Sequence, residues 1–129
     1  MTETEFNLRE ALAQDSQANR RYLWLAQAAD VEGHPEAGLL FRSLADARTF
    51  HAFGHLDHLE ALDQGPPSTE AALRDEITTL DRNGQVAGVW ADDARHEGQP
   101  EIAEWFETLV RAYKTQADRM REALEHLQR

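Results

Sequence analysis

Apolar residues recur along this chain at spacings of three and four, and no sustained alternation of two appears, so the pattern predicts helices and no strands. Four segments carry it. The first buried stripe reads Leu8, Leu12, Asp15, Asn19, Tyr22, Ala26, Ala29, and the second Ala37, Phe41, Leu44, Arg48, His51, His55, His58, Leu62. The fourth is the most regular, with Ile102, Phe106, Leu109, Tyr113, Gln116, Met120, Leu124 and Leu127. The third is looser, with Leu73, Ile77, Leu80, Ala87, Ala91 and Ala94 around Gly84. Stop and start signals separate them. Asn7-x-x-Glu10 reads as a capping box, Gly33 and Gly98 as left-handed helix exits, Pro35 and Pro100 as first helical residues, and Ser68 as a cap.

The two halves repeat at an offset of 65. Glu32, Gly33, Pro35 and Glu36 recur as Glu97, Gly98, Pro100 and Glu101, and Ala26, Ala29, Phe41 and Leu44 as Ala91, Ala94, Phe106 and Leu109. Two related helical hairpins, 7–62 and 69–128, in one domain over 1–129 are therefore expected, and a four-helix bundle is the economical way to bury both.

Composition narrows the chemistry. Without cysteine, disulfides, thiolate zinc sites, iron–sulfur clusters and thiol nucleophiles are excluded, so any metal must sit on His, Asp or Glu. A net charge of -11 disfavours nucleic acid and anionic membranes, because excess carboxylates repel phosphate. No apolar run is long enough to span a bilayer, and the acidic start MTETEFN is unlike a signal peptide, so a cytoplasmic location is expected. Within the stripes, polar side chains stand at comparable heights on several helices. Each would cost about 1 to 3 kcal/mol if buried without a partner, so they must hold a metal, hold a ligand, or satisfy one another.

The chain resembles the rubrerythrin branch of the ferritin-like proteins over nearly its whole length. The resemblance rests on ALAQDSQANRRY (Ala11 to Tyr22), the EGHPE turn, ADARTFHA (Ala45 to Ala52), ARHEGQPEIAEWFE (Ala94 to Glu107) and the hairpin duplication. It implies a ferritin-like all-α bundle and a diiron centre held by a Glu from each of two helices and a Glu-x-x-His motif from each of the others. By that resemblance the ligand places fall at Asp15, at Arg48 and His51, near Thr79 and Arg82, and at Tyr113 and Gln116, so Asp15 and His51 alone keep ligand chemistry. The four-cysteine rubredoxin-like domain of the family has no counterpart here. Iron needs several anionic oxygens, whereas arginine brings a permanent cation, so the peroxide-reducing or ferroxidase activity of the fold is not expected to carry over.

Three readings of the polar layer follow. In the first, a metal-free network of Asp15, Asn19, Arg48, His51, Thr79, Arg82, Tyr113 and Gln116 replaces the irons and the protein is a structural or interaction subunit. In the second, a single transition metal sits on Asp15, His51, His55 and His58, as i, i+4 and i+7 spacing allows, in a redox or oxidative-stress protein. In the third, the arginine-lined interior takes a small ligand. Whether the chain is an enzyme stays open, with the ligand losses pointing away from it. His34 and His96, at the turns, read as solvated, and Trp24, Trp90 and Trp105 as packing residues unless exposed, when they would mark a partner surface. An unidentified protein partner is compatible with all three readings.

Assembly is also legible. A ferritin-like crossover must return the chain along helices about 40 Å long, but the break between Leu62 and Ala71 reaches only about 27 Å. The expectation is a homodimer that exchanges hairpins through the stiff Gly65-Pro66-Pro67 hinge, with an up-down-up-down monomer as its competitor.

Overall fold

The computed structural model describes all 129 residues, Met1–Arg129, as four helices and no strand. They are α1 (Glu3–Val31), α2 (Pro35–Leu62), α3 (Thr69–His96) and α4 (Pro100–Leu127). α1 packs on α2 and α3 on α4, forming two compact units, Met1–Pro66 and Pro67–Arg129. None of the helices is long and apolar enough to cross a membrane.

Local chemistry accounts for nearly every boundary. Gly33 and Gly98 take φ of 85° and 74°, the left-handed region that closes a helix at little steric cost. The amides of His34 and Gln99 then donate to Ala29 O and Ala94 O, both at 2.8 Å. His34 and Gln99 themselves share one backbone geometry, φ -116° with ψ 70° and 71°, before Pro35 and Pro100. The 65-residue repeat is thus a repeat of backbone as well as sequence. Ser68 caps α3 by accepting from Ala71 N–H at 3.1 Å. The start of α1 differs from expectation. Thr2, not Asn7, is the cap, accepting from Glu5 N–H at 3.1 Å, and Glu3 and Glu5 in the first turn oppose the helix dipole. Asn7 and Glu10 lie inside the helix.

The seam within each hairpin is made of small residues. The buried set is Ala26, Ala29, Gly38 and Ala45 in the first hairpin, and Leu80, Ala87, Ala91, Ala94, Ala103 and Ala117 in the second, with Asp15 the one buried polar residue. Apart from Leu80, no large side chain is buried. The α2 and α4 stripes read from sequence therefore form these seams only in part, through half-buried residues such as Phe41, Arg48, His55, Phe106 and Leu109. Leu44, Leu62, Ile102 and Leu127 on those stripes are exposed, and the seams run one row over, through Gly38 and Ala45 and through Ala103 and Ala117. The reason is geometric: two helices approach closely where side chains are small, and the bulkier row beside the contact is left facing outward. Trp24, Trp90 and Trp105 are likewise exposed, although Trp90 also packs one side against Phe106, with ring centres 5.6 Å apart.

Candidate functional site

The most developed polar constellation lies in the first hairpin, about halfway along α1. Asp15 points into the α1–α2 seam and is only 7% exposed. Arg48 Nη1 donates to its Oδ1 at 2.9 Å, and His55 Nε2 stands 2.6 Å from its Oδ2. Both carboxylate oxygens are thereby engaged by cationic or imidazole donors. His51 Nδ1 lies 3.6 Å from Oδ1, beyond hydrogen-bond distance but within reach of its charge. Helical spacing explains the convergence, because residues 48, 51 and 55 are three and four apart and share one side of α2.

A second layer steadies the first. The Arg48 guanidinium also reaches the Tyr22 hydroxyl at 3.4 Å, and its carbon sits 5.7 Å from the centre of the Tyr22 ring, in range of a cation–π contact. Tyr22 in turn lies against Phe41, with ring centres 6.1 Å apart. One turn along, Asn19 Nδ2 donates to Ala45 O and to Thr49 Oγ1, each at 2.8 Å. No buried side-chain nitrogen or oxygen is left without a partner. Tyr22 and Thr49 were not among the residues that sequence reasoning named for the network. Tyr22 is on the α1 stripe and could have been found there, whereas Thr49 lies off the α2 stripe and gave no signal.

The electrostatics follow from these contacts. Burial works to raise the Asp15 carboxyl, but His55, Arg48 and His51 together outweigh it and hold the group below its ordinary value. Arg48 is correspondingly held more firmly protonated, chiefly by its hydrogen bond to Asp15. The site is an ion pair buttressed by an imidazole, with its anion buried and its cation half exposed. His58, also named for a metal on the α2 stripe, is exposed and outside this cluster. No group of three or more His, Asp or Glu side chains is arranged to hold a metal ion. The cleft of about 360 Å³ at the open end of this hairpin, between Glu5, Arg9, Leu12, Leu56, Glu60 and Asp63, includes none of the cluster.

Residues 7–124 match the Rubrerythrin family, almost the whole length of the chain. The chain belongs to the rubrerythrin family. Among curated proteins none matches it. Within this rubrerythrin-family chain the internal repeat shows what the second hairpin has at the same positions. Asp15, Asn19 and Tyr22 correspond to Leu80, Gly84 and Ala87, and Arg48, His51 and His55 to Tyr113, Gln116 and Met120. In α3 the buried position is Leu80, while Thr79 is half-buried and Arg82 exposed. In α4 Tyr113 is half-buried and Gln116 exposed. The hydrogen-bonded cluster is therefore made by α1 and α2 alone, and the four residues named on α3 and α4 belong to the other hairpin.

Proposed function

We propose that this rubrerythrin-family protein works as a metal-poor structural or interaction subunit, in which an Arg–Asp–His network stands where the family holds two irons. The observation that carries this reading is the Arg48–Asp15–His55 contact. A carboxylate whose two oxygens already accept from a guanidinium and an imidazole would have to give up these partners or share its remaining lone pairs to take a metal, and the permanent cation of Arg48 would repel one. The residues present do not fit a diiron centre. One carboxylate is found where four are needed, and the corresponding places of the second hairpin carry no carboxylate. Elemental analysis after anaerobic iron loading, with an absorption spectrum, tests it. Substoichiometric iron and no oxo-bridged band are expected, and two bound irons per chain would overturn the reading.

The subunit acts through assembly, and the partner is a second copy. Support comes from the uncovered apolar rows. Leu40, Leu44 and Leu62 on α2, and Ile102 and Trp105 on α4, are exposed beside seams of alanine and glycine, and soluble chains rarely leave such rows open. Connection length supports exchange over return. Asp63–Ser68 spans about 24 Å at full extension against about 42 Å for a 28-residue helix. A homodimer mixing hairpins from both chains satisfies the family's bundle and the short connection together. Light scattering should give twice the chain mass, and a stable species of 14.7 kDa at micromolar concentration would refute exchange.

A second reading keeps one specific support: His51 and His55 both turn a ring nitrogen toward Asp15. A single transition metal that displaced Arg48 could use these three groups in an altered redox or metal-handling centre. Zinc, copper or nickel would then raise the melting temperature of the wild type and not of a His51→Ala, His55→Ala double variant. Equal responses remove it.

A further inference from the structure

α2 is apolar on more sides than a bundle needs. Gly38 and Ala45 face α1, and Leu40, Leu44 and Leu62 form the neighbouring row discussed above. A third set stands apart from both: Leu39, Phe50 and Phe53, exposed at 66%, 79% and 64%. At ~100° per residue these three fall within about 60° of arc, centred well over a quarter turn from the Leu40 row. Whatever covers that row leaves this one open. A helix apolar all round is normally a buried helix, so a second occupant is called for.

The duplicated hairpin shows that the fold itself does not ask for these residues. At the equivalent places α4 carries Glu104, Thr115 and Asp118, all exposed. Charge then says what the occupant is. Asp46 and Asp57 lie in the same row, one turn before Phe50 and one turn after Phe53, and both are exposed. The ion pairs of this hairpin use other carboxylates, Asp30 and Asp15.

We propose that this face of α2 docks an amphipathic helix of another protein, one that presents apolar side chains flanked by Lys or Arg about eleven positions apart. The apolar anchors meet Phe50 and Phe53, and the two cations meet Asp46 and Asp57. A second copy of this chain fits less well. An antiparallel α2 that lays Phe50 against Phe53 also lays Asp46 against Asp57, twice, and the chain as a whole carries -11. The exposed area of three side chains, a few hundred Å², is also short of the ~800 Å² per partner of a standard interface, and suits one docked helix.

The inference does not depend on the metal or dimer readings, and its test is separable from theirs. A labelled synthetic 18-residue helix, with lysines at positions i and i+11 and leucines and a phenylalanine between them, is titrated against the full chain by fluorescence anisotropy. Micromolar binding is expected, weakened at least tenfold in a Phe50→Ser, Phe53→Ser variant whose mass in solution and melting curve match those of the wild type. An Asp46→Lys, Asp57→Lys variant should instead prefer the same peptide with glutamates in place of lysines. Absence of binding, equal binding to the Phe variant, or a change in oligomeric state on removing Phe50 and Phe53, which would mean that a second copy covers the row, each overturns the proposal.

Discussion

The first hairpin builds its interior around an ion pair, and the second builds the corresponding interior from Leu80, Tyr113 and Met120. Their turns are superimposable in torsion angles, their helices nearly equal in length, and their seams made of the same small residues. The shared frame therefore cannot require the Asp15 cluster. What it requires is alanine and glycine at the contact, a left-handed glycine at the turn and proline at the next helix start. The polar cluster is an addition to one copy of a hairpin that stands without it in the other. A buried ion pair is weak support for stability compared with a well-packed apolar group of similar volume, so its presence reflects history or function more than folding.

The contrast can be broken most severely where the hairpins agree. Leu44 and Leu109 are equivalent residues of the apolar rows beside the two seams. In the exchanged dimer proposed above these rows become buried, so Leu44→Asp or Leu109→Asp should each cost upward of ~3 kcal/mol, from lost burial and a desolvated charge, and shift such a dimer toward monomer in sedimentation. If one variant is tolerated and the other not, the two rows do not do equivalent work.

Next come substitutions where the hairpins differ. Asp15→Ala leaves Arg48, His51 and His55 around a vacated anion site, and chemical denaturation should show a loss of about 1 to 3 kcal/mol. The triple change Asp15→Leu, Arg48→Tyr, His55→Met copies the second hairpin into the first and should recover most of that loss. A triple variant no more stable than Asp15→Ala would mean the cluster fits its hairpin in a way the apolar set cannot.

Acid should separate the hairpins more gently. The folded Asp15 carboxyl is held below its ordinary value, so the unfolded chain takes up this proton first as pH falls. The stabilisation it gives is fully present above about pH 4, near the unfolded value, and is lost as pH falls through the folded one. Melting temperature should decline more steeply below pH 4 in the wild type than in the triple variant, and parallel declines would contradict the ion pair.

The smallest effect concerns a pair that the hairpins share with its sign reversed. Asp30 with Arg42 in the first becomes Arg95 with Glu107 in the second, at matching positions and all well exposed. Exchanging the charges, Asp30→Arg with Arg42→Glu, should leave the melting temperature within a degree or two, because exposed pairs are screened. A large drop would show that Gly38, packed against the Asp30 carboxylate, depends on which residue stands there.

By itself the sequence determined the helices, their turns and their twofold repeat, since these depend on local chemistry: three-and-four spacing, Gly33 and Gly98, Pro35 and Pro100, Ser68. It also determined the family, through motifs spread along the chain, and it set Asp15 opposite Arg48 and His51 on facing stripes. Only the tertiary structure decided which rows touch. Period 3.6 marks an apolar side of a helix but not which of two adjacent rows lies in a contact, and the alanine and glycine rows won because backbones can approach there. The same limit hid the contact of His55 with the second oxygen of Asp15 and the bracing of Arg48 by Tyr22. Those outcomes depend on distances of a few ångström between helices, set by the size of side chains far apart in sequence, and spacing along one helix does not encode them.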